Sequence, residues 1–143
     1  MTAFTIGETR QSQGRTISDA DILAWAGLVH DFTTLHVDAE TTASLVFGER
    51  IAHGSIAWSL SVGLFFPTEA DWYTAHDTLR STGWKAVRFT NPVKIGDTIR
   101  CTRTITDVVF EGGNVRSVEH QVEVRNQRGE LVMTGRETLS AIR

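Results

Sequence analysis

From Ser55 through Phe66 the chain reads Ser-Ile-Ala-Trp-Ser-Leu-Ser-Val-Gly-Leu-Phe-Phe, uncharged throughout and stopped by Pro67. A helix this apolar on every side is expected to be buried all round. Upstream, the pattern is amphipathic. Ser18-Asp19-Ala20-Asp21 carries the residues of a capping box, and Ile22, Trp25, Ala26 and Val29 follow at the i, i+3, i+4, i+7 spacing of one buried helical face. That helix should end near His30, whose imidazolium would satisfy last-turn carbonyls. Asp31 then falls at or just beyond the helix end, and Phe32 to Val37 on an irregular segment of the kind that carries function. Asp38 to Phe47 reads as a shorter helix, with acidic residues in its first turn and Gly48 closing it.

Beyond Pro67 the period changes. Glu69 to Thr82 is polar enough to be a mobile loop. Gly83 to Thr90 alternates in part, which predicts Trp84, Ala86 and Arg88 on one face and Lys85, Val87 and Phe89 on the other. Asn91 to Asp97 is a bend and a turn, followed by three longer strands at Thr98 to Phe110, Arg116 to Asn126 and Leu131 to Ala141. Glu111-Gly112-Gly113-Asn114 and Asn126-Gln127-Arg128-Gly129-Glu130 supply the turns of an antiparallel meander. A first strand near Phe4 to Thr16 would join the same sheet. The fold class is α+β, a buried helix wrapped by a curved antiparallel sheet.

Composition narrows the function classes. The 143 residues suit one domain, residues 1–143, and 41% hydrophobic against 22% charged residues places the chain with compact soluble proteins. Fourteen basic residues against 17 acidic ones give a net charge of −3, with the basic residues scattered, which argues against nucleic acid as a partner. Cys101, the single cysteine, excludes an intrachain disulfide, and its neighbours place it in a strand as a buried apolar filler. No window is long and apolar enough to span a bilayer, and Met1 to Gly14 has no secretion-signal pattern, so the expected location is the cytoplasm. The five histidines His30, His36, His53, His76 and His120 include no i, i+4 pair of the zinc-helix kind, so no metal is expected.

The chemistry concentrates in two short stretches. Asp31 and His36 sit in His30-Asp31-Phe32-Thr33-Thr34-Leu35-His36-Val37-Asp38, and His53-Gly54-Ser55 opens the apolar helix. A carboxylate and an imidazole that reach one small volume can share the proton transfers of adding water to an activated double bond or removing it. An unperturbed imidazole titrates at ~6.5, which suits it to exchange protons near neutral pH. Which group is base and which is acid stays open at this level. Ser55, Ser59 and Ser61 lack a Gly-x-Ser-x-Gly elbow and read as small packing residues.

Three stretches together, Asp31 to Asp38, Ile51-Ala52-His53-Gly54 and Phe89-Thr90-Asn91-Pro92-Val93-Lys94-Ile95-Gly96-Asp97, resemble the MaoC-like, or (R)-specific enoyl-CoA hydratase, family. That resemblance implies a single hot dog domain with a long central helix. It implies a homodimer or higher homo-oligomer joined edge to edge, and a hydratase or dehydratase interconverting a trans-2-enoyl thioester and its (R)-3-hydroxyacyl thioester. Asp31 and His36 match the family's catalytic dyad, and Gly54 the residue whose N–H binds the thioester oxygen. The carrier would be coenzyme A or acyl carrier protein, with no redox or metal cofactor.

A donor preorganised at the thioester oxygen is the largest single contribution expected, about 3 to 4 kcal/mol of barrier. Gly54 at a helix N-terminus supplies one. His53 is either a second acid/base group or the residue that fixes the loop presenting Gly54. Two departures from the family pattern stand out. Thr33-Thr34 replaces the usual Asn-Pro, exchanging an amide that orders the dyad loop for a hydroxyl. Val62 stands where some members have a serine, with Ser59 at i−3 on the same helical face. Arg50, Lys85, Arg88 and Lys94 are the candidate cations for carrier phosphates. The rival readings are a hot dog thioesterase and a non-catalytic acyl-thioester binding protein.

Overall fold

Ser18 Oγ accepts from the Asp21 N–H at 3.2 Å while the Asp21 carboxylate accepts from the Ser18 N–H at 2.8 Å, so the predicted capping box forms and starts helix α1 (Asp19–Val29). In this computed structural model, which describes residues 4–65 and 79–142, Ile22 and Ala26 of α1 are buried and Trp25 packs on the same core, whereas Val29 is exposed. His30 ends the helix differently from expectation. Its backbone is left-handed, at φ 58°, and its own N–H, with that of Asp31, reaches the Ala26 carbonyl. The main chain, not the imidazole, satisfies the last turn.

Phe32 to Val37 is only partly irregular, because Thr34–Val37 forms the single-turn helix α2. The predicted helix from Asp38 to Phe47 shrinks to one turn, α3 (Ala39–Thr42). Asp38 caps it as expected, accepting from the Thr41 N–H at 3.0 Å, but the Thr42 hydroxyl bonds back to the Asp38 carbonyl at 2.7 Å. Such local side-chain bonds compete with helix propagation.

The central helix α4 (Gly54–Gly63) buries Ile56, Ala57 and Ser61 but leaves Trp58, Ser59 and Val62 exposed. The expectation of burial all round is therefore corrected: the sheet covers one side of the helix. Phe66 and Pro67, which were to end it, lie outside the described residues, as do His76 and Glu69 to Thr78 of the expected loop. Leu79 to Thr82 belongs to a strand.

The strands are β1 (Thr9–Gln11), β2 (Arg15–Thr16), β3 (Leu79–Phe89), β4 (Thr98–Glu111), β5 (Asn114–Arg125) and β6 (Leu131–Ala141). Among the described residues they form an antiparallel sheet in the order β1-β4-β5-β6-β3, with β2 also on β4. The predicted first strand is thus split in two. The sheet's β4, β5 and β6 hold α4, the arrangement of the hot dog fold. Cys101 is fully buried in β4, as its neighbours predicted. β3 breaks the simple alternation, because the register shifts between Lys85 and Arg88, where Ala86 has φ 53°. This bulge puts Trp84 and Val87 on the same face, both against the core.

Charged groups cross the interior. Arg103 on β4 and Glu137 on β6 form a buried ion pair at 2.7 Å, and His120 on β5 is buried with them. Burial, helped by the Arg103 charge, pushes the His120 pKa down to about 3. The unfolded chain titrates this ring at ~6.5. The stability that comes from a neutral His120 is therefore complete above ~6.5 and is lost as pH falls from there through about 3, at roughly 1.4 kcal/mol per pH unit. Denaturant titrations across this window should show a shallower pH dependence for His120→Leu than for the native chain.

Candidate active site

Three stretches distant in sequence meet at the N-terminus of α4. The Ile51 N–H donates to the Leu35 carbonyl at 3.3 Å, the Ala52 N–H donates to the Val93 carbonyl at 2.8 Å, and Ile51 bridges Lys94. Residues 51–54 are thereby strapped between α2 and the bend before β4. Asp97 anchors that bend, accepting from the Lys94 N–H, the Gln127 amide and the Arg128 guanidinium. Burial pushes the Asp97 carboxyl up, but these hydrogen bonds outweigh it and hold the group below the usual carboxylate range.

His36 projects from α2 with its Nδ1–H donated to the Ile51 carbonyl at 2.8 Å. A carbonyl can only accept, so the neutral ring carries its proton on Nδ1 and keeps Nε2 bare. Nε2 lies 3.9 Å from Asp31 Oδ2. A water at ordinary hydrogen-bond distance from both atoms closes a triangle with them. The other Asp31 oxygen, Oδ1, accepts from the Thr33 hydroxyl at 2.6 Å and the Thr33 N–H at 3.1 Å. These two bonds, the hydroxyl's above all, hold the Asp31 pKa below its ordinary value. Thr33 thus orders the dyad carboxylate with a hydroxyl and a backbone N–H. The Asp31 side chain remains 43% exposed, so water has access to it.

His53 caps α4 by position and stacks its ring on that of His36, with centroids 3.7 Å apart and an interplanar angle of 23°. Its Nε2–H is donated to the main-chain carbonyl of Asp31 at 2.9 Å. Next to it Gly54, the first residue of α4, has an N–H with no acceptor among the described residues, as the first helical turn dictates. The site therefore brings together a carboxylate, a bare imidazole nitrogen and a helix-end N–H donor.

A cavity of about 320 Å³ opens here, lined by His36, His53 and Gly54 and, on its apolar walls, by Leu35, Phe47 and Phe89. Phe89 explains the glycine. A Cβ on Gly54 would fall 2.9 Å from the Phe89 ring, so the side-chain-free face is already filled by an aromatic wall. Gly54→Ala should destabilise the fold by about 1–3 kcal/mol through overpacking. Adding Phe89→Ala should recover most of that loss, as chemical denaturation of the single and double variants would show.

Ser59 and Val62 are not brought to this site. Ser59 lines a separate groove between α1 and α4, with Trp25 and Leu60, and Val62 lies on the exposed side of α4. The cation candidates also stand apart from the cavity lining. Arg50 pairs with Asp19 at 2.7 Å, Lys94 with Glu49 at 2.7 Å and Lys85 with Glu119 at 2.6 Å. Arg88 is exposed and donates to its neighbour's carbonyl, Val87, at 2.9 Å. Asp31, His36 and His53 offer ligand atoms within 4.8 Å of one another, but the histidine rings are nearly parallel and His53 Nε2 is engaged with a carbonyl.

Residues 2–132 match the family profile described as MaoC like domain. The chain belongs to the MaoC-like family. This MaoC-like chain is 34% identical over 103 residues to the (R)-specific enoyl-CoA hydratase of Rhodospirillum rubrum, covering 70% of the chain and 65% of that protein. It is also 34% identical over 98 residues to Protein MaoC of Klebsiella aerogenes, over 68% of the chain and 28% of that protein. It thus spans less than two thirds of the length of either relative. The solved structure of a monoamine oxidase regulatory protein from Archaeoglobus fulgius superposes with a TM-score of 0.82 at 33% identity, covering 98% of this chain and 92% of that one. Among the described residues of the MaoC-like chain, no helix is long and apolar enough to cross a membrane.

Proposed function

We propose that this MaoC-like chain is a hydratase/dehydratase that adds water reversibly to a trans-2-enoyl thioester to give the (R)-3-hydroxyacyl thioester. The observation that carries this reading is the placement of His36 Nε2 3.9 Å from Asp31 Oδ2, beside a cavity that the Gly54 helix end also lines. Asp31, ionised, holds the water. His36 Nε2, bare in its neutral tautomer, takes a proton from it as the oxygen attacks C3. The negative charge that develops on the thioester oxygen is met by the Gly54 N–H and the dipole of α4. His36 then returns its proton to C2, so that the elements of one water are added and the dyad is restored. Asp31 faces the imidazolium while it exists, an attraction that lowers the barrier.

The carrier is coenzyme A or acyl carrier protein, and the assembly a homodimer joined along β3. Among the described residues this strand pairs with β6 on one side only, and an open strand edge is a pairing template. The test of the activity is the loss of enoyl-thioester absorbance with crotonyl-CoA, followed by chiral analysis of the product. Steady turnover to the (R)-alcohol supports the reading. Binding of crotonyl-CoA without any turnover would transfer the assignment to an acyl-thioester binding protein, and release of free thiol from a saturated acyl-CoA would transfer it to a thioesterase.

A further inference from the structure

His53 is 4% exposed, stacks on His36 at 3.7 Å and donates its Nε2–H to the Asp31 carbonyl at 2.9 Å. It therefore touches both halves of the dyad: its Nε2 lies 3.8 Å from Asp31 Oδ2, but the proton there is committed to the Asp31 carbonyl. Its other nitrogen, Nδ1, is buried with no hydrogen-bond partner among the described residues. A buried acceptor left bare is unfavourable for the fold, and a phenylalanine ring of similar shape would avoid it. The imidazole is thus a poor choice for packing alone.

We propose that His53 is a positioning residue for the dyad: its Nε2–H fixes the Asp31 peptide and its ring face fixes the plane of His36, which together set the separation of Oδ2 and Nε2. Thr33 restrains the Asp31 carboxylate and the Ile51 carbonyl restrains the His36 ring, but neither bond ties the two residues to each other. Asp31 follows a left-handed residue at the open end of α1, and its side chain is held by Thr33, two residues away. His36 rides on a helix of one turn. The two segments are joined through His53, which is itself locked between Ala52, bonded to Val93, and the start of α4. A displacement of about 1 Å in such a pair is enough to lower a rate on the order of 100-fold.

The inference rests on the hydratase reading for its kinetic consequence, but not for its structural one. His53→Phe keeps a stacking ring and removes the donor, and His53→Gln places an amide N–H near the position of Nε2 without the ring. The expected result with crotonyl-CoA is a kcat lowered on the order of 100-fold in His53→Phe with KM little changed and thermal stability equal or higher, and a kcat at least partly restored in His53→Gln. A His53→Phe variant with native kcat, or a His53→Gln variant no better than it, overturns the proposal. Absence of turnover by the native chain is failure of the hydratase reading instead. In that event the NMR shifts of the Asp31–Phe32 peptide still decide: a shift in His53→Phe that His53→Gln reverses supports the positioning role, and an unmoved peptide in both variants overturns it.

Discussion

Asp31→Asn and His36→Ala should each lower kcat for enoyl-thioester hydration by roughly 10²–10⁴-fold, the range for loss of a positioned acid/base group. Asparagine is nearly isosteric with aspartate and can still accept from the Thr33 hydroxyl, so the loop should keep its shape while the charge facing His36 disappears. Water can still bind, but the imidazolium formed in the transition state loses its counter-charge. His36→Ala removes the base itself and leaves the Ile51 carbonyl without the imidazole donor it uses now. The larger stability loss is expected in this second variant. Progress curves of enoyl-thioester absorbance, read beside denaturation curves, separate the two effects. The double variant should be far from additive, because both residues act on one water and removing either abolishes the shared step. Native-like turnover in either single variant would remove the dyad from the mechanism.

The parts of this structure that were legible in the sequence are those decided locally. Ser18 and Asp21 form their capping box within one helical turn, and the strands from Thr98 onward alternate and turn at glycines, so their bounds fall within a few residues of expectation. Asp31, His36, His53 and Gly54 meet as expected because the motifs that carry them are short and strapped by main-chain bonds at Ile51 and Ala52. What was not legible depends on phase and tertiary approach. The side of α4 that faces the cavity cannot be read from a run that is apolar at nearly every position, so the resemblance that puts Val62 and Ser59 near the site has no local check, and both lie away from it. The bulge at Ala86 reset the parity of β3, leaving Arg88 exposed and Trp84 on the core face with Val87. Phe89 could be read as one more strand residue, and its role as the wall against Gly54 needs the three-dimensional fold. The stacking of His53 on His36 likewise joins positions that no local rule connects.

The same fold places a fully buried ion pair beneath the opposite end of α4. The Arg103 guanidinium, fully buried, meets Glu137 at 2.7 Å, donates to the Ser61 carbonyl at 3.2 Å and lies 4.8 Å over the Phe65 ring. Ser61 belongs to the last turn of α4, where carbonyls lack intrahelical partners and a cation is favoured. Among the described residues Glu137 supplies the counter-charge to this guanidinium. Glu137→Gln keeps the shape and removes that charge, and breaking a buried pair in this way destabilises by about 3–5 kcal/mol. Set against a total stability of roughly 5–15 kcal/mol, that is a large share. A joint replacement, Arg103→Met with Glu137→Leu, removes both desolvated charges at the expense of the donor to Ser61. It should be less destabilising than Glu137→Gln alone, since replacing both members of a buried pair by apolar groups is often neutral or stabilising. Urea unfolding of the single and joint variants tests the order. A Glu137→Gln variant within ~1 kcal/mol of the native chain, below the cost of breaking a buried pair, would mean that the guanidinium is compensated without Glu137, and the end of α4 would then be held by packing on Phe65 and the sheet.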